Sequence, residues 1–367
     1  MKFNLSSLFV ALLVSATRAS SMTSQQASST CTLTGTYVDS TSINSPTCNN
    51  ILISNLNVPK HTTLDLTKVP AGATITFAGT TTFGITETDW QGPLVLLTGK
   101  NLKVKGSGVL DGQGNWYWQQ FKTNPNFQRP VFFRLLNVHS STLSGFTLKN
   151  SPFRTFSIVG STDTVLDHLT LDSKAGDNLA KNTDGFDMSS NNGVNITNNI
   201  ILNQDDCLAM QSSTNTHFIG NTCTGGHGIS VGSIGGTAVD STDTVSGLVV
   251  QNNKIINSDN GIRIKTIVGS QGLVTGVTYI SNTLTNVKNA IVMHSDYNKS
   301  AGGYTGKATS AVAIKDITIA GLSGTATNLY DVLVNPSVVS GWKWSGITVA
   351  ATAKGSCSGQ PSTVTCA

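Results

Sequence analysis

The chain has 367 residues, of which only 11% are charged, whereas roughly 25% are charged in ordinary soluble domains. Its formal net charge of +4 is too small to indicate nucleic-acid binding. Disorder is excluded as well, because Val, Ile and Thr recur in short runs along the chain and disordered chains are poor in β-branched residues.

Residues 1–19 predict a secretory signal peptide. Lys2 supplies the positive charge, residues 8–16 form an apolar core, and Ala19 completes a small-residue cleavage site. The apolar stretch is too short to cross a bilayer, and no other segment approaches the length of a membrane helix. We therefore expect a secreted, extracellular protein without membrane attachment. Residues 20–30 are expected to be a flexible Ser/Thr-rich or short pro-segment, and residues 31–367 a single domain.

Six cysteines in a secreted chain predict three disulfides. Zinc is the competing use of such residues, but no C-x-x-C pair exists, and we expect no metal site. Other pairings stay formally open, yet proximity along the chain favours Cys31–Cys48, Cys207–Cys223 and Cys357–Cys366. The sequons that begin at Asn195 and Asn298 are candidate glycosylation sites.

From about residue 50 onward, short runs rich in β-branched residues alternate with Gly, Asn, Ser and Asp, which favour turns. No segment keeps an apolar period of 3.6 residues long enough to predict a helix. The clearest predicted strand segments are Asn101–Lys105, Ser144–Lys149, Val165–Leu171, Val194–Leu202, Leu248–Ile256, Val277–Leu284 and Ile314–Ala320.

The spacing of these segments, about 20 to 28 residues, favours an all-β solenoid: a right-handed parallel β-helix with three or four strands per coil. A β-sandwich or propeller would also have short, evenly spaced strands, but hairpin signals do not join successive strands regularly here. Asn and Ser at the turns can form ladders that satisfy backbone groups. The ends need caps, because exposed strand edges would pair with other chains. Residues 31–50 and the segment with Trp342, Trp344 and the Cys357–Cys366 loop are the predicted caps.

Three short motifs in the middle of the chain are separated by about one coil. Asp184 and Asp206 are 22 residues apart, and Asp206 and His227 are 21 residues apart. Residues one coil apart lie on one line along a solenoid. We therefore expect three carboxylates, an imidazole and two cations to share one groove, which points to acid/base chemistry on an anionic substrate. The motifs are Asn182-Thr183-Asp184, Gln204-Asp205-Asp206 and Gly226-His227-Gly228, followed by Arg263-Ile264-Lys265.

In these four motifs the sequence resembles the polygalacturonases, glycoside hydrolases of pectin, and is most similar to secreted fungal endo-enzymes. The resemblance covers essentially the whole mature chain. That family is a parallel β-helix that hydrolyses α-1,4-galacturonan with inversion. The resemblance therefore implies endo-hydrolysis of de-esterified pectin (polygalacturonic acid) without a cofactor.

The resemblance also implies catalytic roles. Asp205 is similar to the general acid that protonates the leaving glycosidic oxygen. Asp184 and Asp206 are similar to the carboxylates that activate the attacking water. His227 resembles the histidine that supports the protonation state and geometry of the acid.

Substrate contacts follow in the same way. Arg263 and Lys265 resemble the pair that binds the substrate carboxylate beside the scissile bond, and Tyr297 matches a substrate-contacting tyrosine. The implied partner is homogalacturonan, with plant inhibitor proteins as further partners by family resemblance. A monomer is expected.

Physical chemistry supports these roles independently. Inverting hydrolysis needs one protonated and one ionised carboxyl group about 6.5–9.5 Å apart, with room for a water molecule. Ionising three carboxyl groups in one groove is unfavourable, so the pKa of one of them rises. The titration belongs to the whole cluster, and the assignment of the raised pKa to Asp205 is a model. Neighbouring strand residues point to opposite faces, so Asp205 and Asp206 can share the groove only if the chain bends there. Asp187 and His294 are interpreted as structural.

Several alternatives stay open. An exo-polygalacturonase or a rhamnogalacturonan hydrolase could use the same scaffold, although no large insertion that would block one end of the groove is evident. A Ca²⁺-dependent pectate lyase shares the β-helix but does not account for the four motifs. A secreted galacturonan-binding protein without catalysis is the alternative of a different class, and the intact Asp trio argues against it. An acidic pH optimum is expected, because one carboxyl group must stay protonated.

Overall fold

The computed structural model describes Met1 and residues 30–366. The rest of the predicted signal peptide, and residues 20–29 of the predicted flexible segment, lie outside the described residues. Within the described part, 35 strands belong to one sheet, accompanied by one α-helix and three short 3-10 helices. No helix among these residues is long and apolar enough to cross a membrane.

The first strands in chain order are β1 (Thr30–Thr36), β2 (Asn50–Val58), β3 (Leu64–Leu66), β4 (Thr74–Ala78), β5 (Thr80–Phe83), β6 (Val95–Lys100), β7 (Lys103–Gly106), β8 (Val109–Asp111), β9 (Phe133–His139), β10 (Thr142–Ser144), β11 (Thr147–Lys149), β12 (Phe156–Val159), β13 (Val165–Asp167), β14 (Thr170–Asp172), β15 (Phe186–Ser189), β16 (Asn191–Asn192), β17 (Asn195–Thr197) and β18 (Ile200–Asn203). The strands that follow are β19 (Leu208–Met210), β20 (Ser213–Thr214), β21 (His217–Ile219), β22 (Thr222–Gly225), β23 (Ile229–Ile234), β24 (Thr244–Ser246), β25 (Val249–Gln251), β26 (Lys254–Ile256), β27 (Asn260–Ile267), β28 (Leu273–Ile280), β29 (Thr283–Asn298), β30 (Gly303–Tyr304), β31 (Ala313–Ala320), β32 (Ser323–Leu333), β33 (Val339–Ser340), β34 (Lys343–Ser345) and β35 (Thr348–Ser358). The helices are α1 (Gly114–Thr123) and the 3-10 segments Thr41–Ile43, Lys174–Gly176 and Ser241–Asp243.

Apart from β30, which is antiparallel to β29, the strands pair in parallel with the equivalent strands of neighbouring coils. Strands β13 to β16 form one coil and pair in order with β17 to β20 of the next. This arrangement confirms the predicted parallel β-helix, with four strands per coil in the middle of the chain. One stack of strands carries the site, and we call it the groove stack: β3, β6, β9, β12, β15, β19, β23 and β27, continued by parts of β29, β32 and β35.

Several predicted single strands are in fact two strands joined by a sharp turn. The segment predicted at 194–202 splits into β17 and β18, because Asn198 adopts a left-handed conformation with φ of 55°. Asn tolerates this region better than other residues with a side chain. The turn places Asn199 in the interior, where its relative exposure is 1%.

Buried asparagines form the predicted ladder at this turn. Asn221 Oδ1 accepts hydrogen bonds from the backbone N and the Nδ2 of Asn199, both at 2.9 Å. Asn221 Nδ2 donates to the carbonyl of Ile196 at 2.9 Å and to Asn253 Oδ1 at 3.2 Å. The pattern continues from Asn253 to Asn282. The ladder thus satisfies backbone groups that the turn would leave buried and unpaired.

An aromatic column fills the interior behind the groove stack. The rings of Phe133, Phe156 and Phe186 occupy equivalent positions on successive strands, with centroids 5.4 Å apart at each step. All three are fully buried. Each buried ring stabilises the fold by about 1.5–3 kcal/mol.

The structure corrects the prediction that no helix occurs. Helix α1 is short, and its stabilising contacts come from distant turns rather than from a long apolar stripe. The buried Tyr117 hydroxyl accepts a hydrogen bond from the backbone N of Thr86 at 2.9 Å, and Trp118 Nε1 donates to the carbonyl of Ser151 at 2.9 Å. No local periodicity can indicate such contacts.

The three predicted disulfides are all present, as Cys31–Cys48, Cys207–Cys223 and Cys357–Cys366. The first and last lie at the two ends of the solenoid, where β1 pairs with β2 and β35 pairs with β32. At the C-terminal end the Trp342 and Trp344 rings stack with centroids 5.7 Å apart. These features match the predicted caps.

We expect Asn221→Ala to lower the free energy of unfolding by about 3 kcal/mol, because it removes the side-chain partners of the buried backbone N–H of Asn199 and of the carbonyl of Ile196. Chemical denaturation monitored by circular dichroism measures this change. The exposed Asn126→Ala is the matched control. Equal stability of the two variants would contradict a stabilising role of the ladder.

Candidate active site

The candidate residues lie where the chain enters successive strands of the groove stack. Asp184 precedes β15, Asp205 and Asp206 precede β19, and His227 precedes β23. The parallel register therefore brings together groups from three consecutive coils. Arg263 and Lys265 lie within β27 of the next coil and complete the cluster.

The chain bends at residues 204–207, as predicted, and both neighbouring carboxylates reach the groove. The buried Asn203 fixes this bend, since its Nδ2 lies 3.0 Å from each of the carbonyls of Thr183, Asp205 and Asp206. The backbone N of Asp206 donates to Asp205 Oδ1 at 2.8 Å. The Cys207–Cys223 disulfide ties the end of the bend to the next coil.

Glycines on both sides of His227 permit its close approach to Asp205. A Cβ atom at Gly226 would lie 2.1 Å from the carbonyl oxygen of Asp205, and Gly226 has a φ of 61°. The backbone N of His227 donates to that same carbonyl at 2.9 Å. The imidazole Nδ1 then lies 3.0 Å from Asp205 Oδ1, within hydrogen-bonding distance.

Asp206 lies at the centre of a buried ion cluster. Its carboxylate accepts hydrogen bonds from Ser230 Oγ at 2.8 Å, from Lys265 Nζ at 2.9 Å and from the guanidinium of Arg263. Arg263 Nε also donates to Ser230 Oγ at 2.8 Å. Only 2% of Asp206 is exposed, so these donors replace the water that an ionised carboxylate needs.

Burial and crowding raise the pKa of two carboxyl groups. The pKa of Asp184 lies well above its usual range, because the group is buried and because the carboxyl groups of Asp205, Asp187 and Asp206 lie close to it. Burial likewise raises the pKa of Asp187 to about 7, although the nearby charge of Arg154 opposes the shift. Both groups therefore keep their protons to a higher pH than an ordinary carboxyl group does.

The Asp205–His227 pair behaves in the opposite way. Burial disfavours the ionised form of Asp205, but the hydrogen bond and charge of His227, together with Lys265, outweigh it and lower the pKa of Asp205 to about 2. Burial also opposes the charge on His227, yet the hydrogen bond and negative charge of Asp205 raise the pKa of the imidazole. Between the lowered pKa of Asp205 and the raised pKa of His227, the two groups form an ion pair with the proton on the imidazole.

Ligand atoms of Asp205, Asp206 and His227 lie within 4.8 Å of one another, a spacing that could in principle suit a metal ion. However, the carboxylate of Asp206 already binds the cationic groups of Arg263 and Lys265. These cations supply positive charge at this position, and a further cation beside them would be repelled.

Sequence reasoning missed two groups that hold Asp205 in place. Asn182 Nδ2 donates to Asp205 Oδ2 at 3.3 Å. Asn182 is itself held by Arg129, whose guanidinium donates to Asn182 Oδ1 at 3.0 Å and to the carbonyl of Lys181 at 2.7 Å. Asn182 belongs to a recognised motif, whereas Arg129 lies on a different coil and no local pattern indicates it.

A hairpin borders the groove beside Lys265. Strand β30 pairs antiparallel with the end of β29, so Tyr297 and Tyr304 face each other. The Lys265 ammonium lies 5.3 Å from the Tyr297 ring centre, and Tyr304 stacks on His294 with ring centroids 3.7 Å apart. His294 in turn bonds to Asp296 at 2.7 Å and to Asp331 at 3.0 Å.

Of the two sequons, one lies away from the groove and one beside it. Asn195 lies on β17, outside the groove stack, and its side-chain oxygen is 2.7 Å from His217 Nδ1. Asn298 is the last residue of β29, at the base of the hairpin. Both are partly exposed.

Comparison with known proteins places the chain in a family. The model of glycosyl hydrolases family 28 matches residues 48–366. The polygalacturonase of Cochliobolus carbonum is 44% identical over 332 residues, which are 88% of this chain and 89% of that protein. Endopolygalacturonase I of Aspergillus oryzae is 44% identical over 365 residues, or 96% of each chain.

Solved structures agree with this placement. Endopolygalacturonase I from Stereum purpureum, complexed with two galacturonates, has a TM-score of 0.73 and 31% identity, covering 89% of this chain and 99% of that one. The endo-xylogalacturonan hydrolase from Aspergillus tubingensis has a TM-score of 0.76 and 27% identity, covering 91% and 97% of the two chains. The family match, the 44% identical relatives and the shared fold together show that this chain belongs to glycosyl hydrolases family 28.

Proposed function

We propose that the protein is an endo-polygalacturonase that hydrolyses α-1,4-galacturonosyl linkages of de-esterified pectin (polygalacturonic acid) with inversion. The observation that carries this proposal is the groove cluster in which Asp184, Asp205, Asp206 and His227 adjoin the cations of Arg263 and Lys265. Relatives that are 44% identical and named endopolygalacturonases support the endo mode.

Substrate binding uses the cations around Asp206. Arg263 and Lys265 reach the groove from one face of their strand. A galacturonate carboxylate beside the scissile bond can therefore accept hydrogen bonds from them together with Asp206. Tyr297 lies against Lys265 and offers a ring surface to the same sugar residue. The buried position of the cations strengthens their attraction for the anionic substrate.

Water activation is assigned to Asp184 and Asp206. The carboxylate of Asp206 accepts hydrogen bonds from the two cations and from Ser230. Burial and the neighbouring carboxyl groups raise the pKa of Asp184, which favours its protonated form. The attacking water gives one proton to this pair while its oxygen bonds to the anomeric carbon.

Leaving-group protonation is assigned to Asp205, which receives its proton from His227. The negative charge of an incoming galacturonate raises the pKa of Asp205. The proton can then pass across the 3.0 Å hydrogen bond from His227 Nδ1 to Asp205 without movement of heavy atoms. Asp205 donates this proton to the glycosidic oxygen as the bond to the anomeric carbon breaks. Because the proton comes from His227, the low pKa of Asp205 in the free protein is compatible with its role as the acid.

We further propose that the enzyme is secreted and acts as a monomer on homogalacturonan outside the cell. Three disulfides are typical of proteins from oxidising compartments. Plant inhibitor proteins are the proposed protein partners.

Incubation with polygalacturonic acid in the presence of a chelator tests the function. We expect reducing ends to appear together with a rapid fall in viscosity and without the ultraviolet absorbance of unsaturated products. Slow viscosity loss with release of monomer would instead indicate exo-action. Binding without any release of reducing ends would contradict the enzymatic proposal.

We expect Asp205→Asn to lower kcat on polygalacturonic acid by at least about 100-fold, because an amide cannot supply the proton. Binding of an oligogalacturonate, measured by calorimetry, should persist. The exposed turn residue Asp163 provides the matched control Asp163→Asn. Undiminished hydrolysis by Asp205→Asn would remove Asp205 from the mechanism.

The Asp205–His227 pair also predicts a pH dependence. The imidazole carries the proton below its raised pKa and loses it above, so kcat/KM should fall as pH rises through that pKa. In Asp205→Asn, the pKa of His227 measured by nuclear magnetic resonance should drop, since the main group that raises it is lost. An unchanged pKa of His227 in this variant would contradict the shared-proton assignment.

A further inference from the structure

A buried histidine connects the hairpin beside the groove to the solenoid. His294 on β29 is in register with Lys265 on β27, so the two side chains point to the same face. Lys265 lines the groove, whereas His294 is only 5% exposed and the ring of Tyr304 covers it. The hairpin, rather than the interior of the coil, therefore buries this imidazole.

Both ring nitrogens of His294 have a carboxylate partner. Nδ1 lies 2.7 Å from Asp296 Oδ1, and Nε2 lies 3.0 Å from Asp331 Oδ1. A neutral imidazole has one N–H group and can donate to only one of these carboxylates, whereas the imidazolium donates to both. Asp296 is fully buried, and an ionised carboxylate in such a place needs a cationic partner. The geometry therefore fits the imidazolium form of His294.

Asp296 also ties this imidazole to the returning strand of the hairpin. Its Oδ2 accepts a hydrogen bond from the backbone N of Gly306 at 2.6 Å, and its carbonyl accepts one from the backbone N of Thr305 at 3.0 Å. Tyr304, the preceding residue, stacks on His294 with ring centroids 3.7 Å apart and an interplanar angle of 16°. A cation is attracted to the face of an aromatic ring, so the imidazolium holds Tyr304 more firmly than a neutral imidazole does.

Tyr304 in turn reaches the cations around Asp206. As a whole residue Tyr304 is 39% exposed, but its hydroxyl end lies among protein groups, and burial there raises the pKa of Tyr304 to about 12. The charge of Arg263 and its contact with the hydroxyl oppose this rise. Arg263 is the guanidinium that donates to Asp206. A continuous chain of contacts thus runs from His294 to Arg263 through Tyr304.

The charged groups around His294 favour its protonated form. Burial opposes the charge, but the hydrogen bonds and the negative charges of Asp331 and Asp296 raise the pKa of His294. The hydrogen bond from His294 lowers the pKa of Asp331, and the charge of Lys288 lowers it further. The cation of Lys265 lies one coil away. The imidazolium is therefore present below the raised pKa of His294 and is lost as the pH rises through it.

We propose that Tyr304 is a positioning residue for Arg263 and that the imidazolium form of His294 keeps Tyr304 in place. This inference rests on the proposed endo-polygalacturonase function, in which Arg263 binds the substrate carboxylate. Loss of the proton from His294 loosens the hairpin and leaves Arg263 less well placed. The enzyme therefore binds polygalacturonic acid more weakly once His294 is neutral, and this effect is separate from the proton transfer to the leaving group.

His294→Gln tests the imidazolium. At acidic pH we expect this variant to raise KM for polygalacturonic acid about fivefold with little change in kcat, because the cation beneath Tyr304 is lost. As the pH rises through the pKa of His294, the KM values of the variant and the wild type should converge, since both proteins then lack the charge. A KM ratio that stays constant with pH would overturn the role of the imidazolium.

His168→Gln is the matched control. His168 also pairs with an aspartate, at 2.6 Å from Asp167, but it is exposed and lies outside the groove stack. We expect the KM of this variant to equal that of the wild type at every pH. An effect as large as that of His294→Gln would contradict a specific role of His294.

Tyr304→Phe tests the contact with Arg263, since it keeps the stacked ring and removes only the hydroxyl. We expect it to raise KM about threefold in the wild-type background and to have no further effect in Arg263→Lys, because the interaction is then already lost. A direct contact between Tyr304 and the substrate would raise KM equally in both backgrounds. That result would overturn the positioning role.

Amide hydrogen exchange measures the hairpin without substrate. The protection factor of the Gly306 amide should fall in the wild type as the pH rises through the titration of His294, and it should be low at every pH in His294→Gln. Protection that does not change with pH in the wild type would overturn the link between His294 and the hairpin.

Failure of this inference and failure of the proposed function give different results. If the wild type does not hydrolyse polygalacturonic acid although Gly306 protection follows the titration of His294, the proposed function fails and the link between His294 and the hairpin stands. If hydrolysis is normal but His294→Gln and His168→Gln have the same KM at every pH, the function stands and the positioning role fails.

Discussion

Parallel pairing in register from coil to coil determines where every side chain of the groove lies. The β-helix repeats one strand position about every 4.8 Å, so residues one coil apart in sequence become neighbours in space. Asp184, Asp206 and His227 meet because the coils that carry them have nearly equal length. The asparagine ladder and the phenylalanine column maintain this register from inside, where Asn221 and Phe156 each contact equivalent residues in the adjacent coils.

The electrostatics of the site follow from bringing these groups together in a buried place. Asp206 forms ion pairs with Arg263 and Lys265, and Asp205 forms one with His227. Among residues 30–366, Asp184 has no comparable cationic partner. Because their cationic neighbours differ, carboxyl groups of the same chemical type have different pKa values. One fold thereby provides both proton donors and a proton acceptor at the same pH.

The sequence was sufficient to predict the β-helix, the three disulfides and the proximity of the candidate residues in one groove, because all of these depend on spacing along the chain. It did not predict helix α1, which is stabilised by contacts of Tyr117 and Trp118 with distant turns. Arg129 was missed for the same reason, since its contact with Asn182 joins separate coils. The order of the carboxyl pKa values could not be predicted from the sequence either, because it depends on the burial of each group and on the partners of its oxygen atoms.

The site occupies four consecutive coils in the middle of the solenoid. In a solenoid each coil contacts mainly its two neighbours, so opening begins at the termini and progresses inward one coil at a time. Fraying at either end must therefore remove several coils before it disturbs the bend at 204–207. Insertions and substitutions near the termini can alter solubility or surface recognition while the groups around the bend keep their geometry.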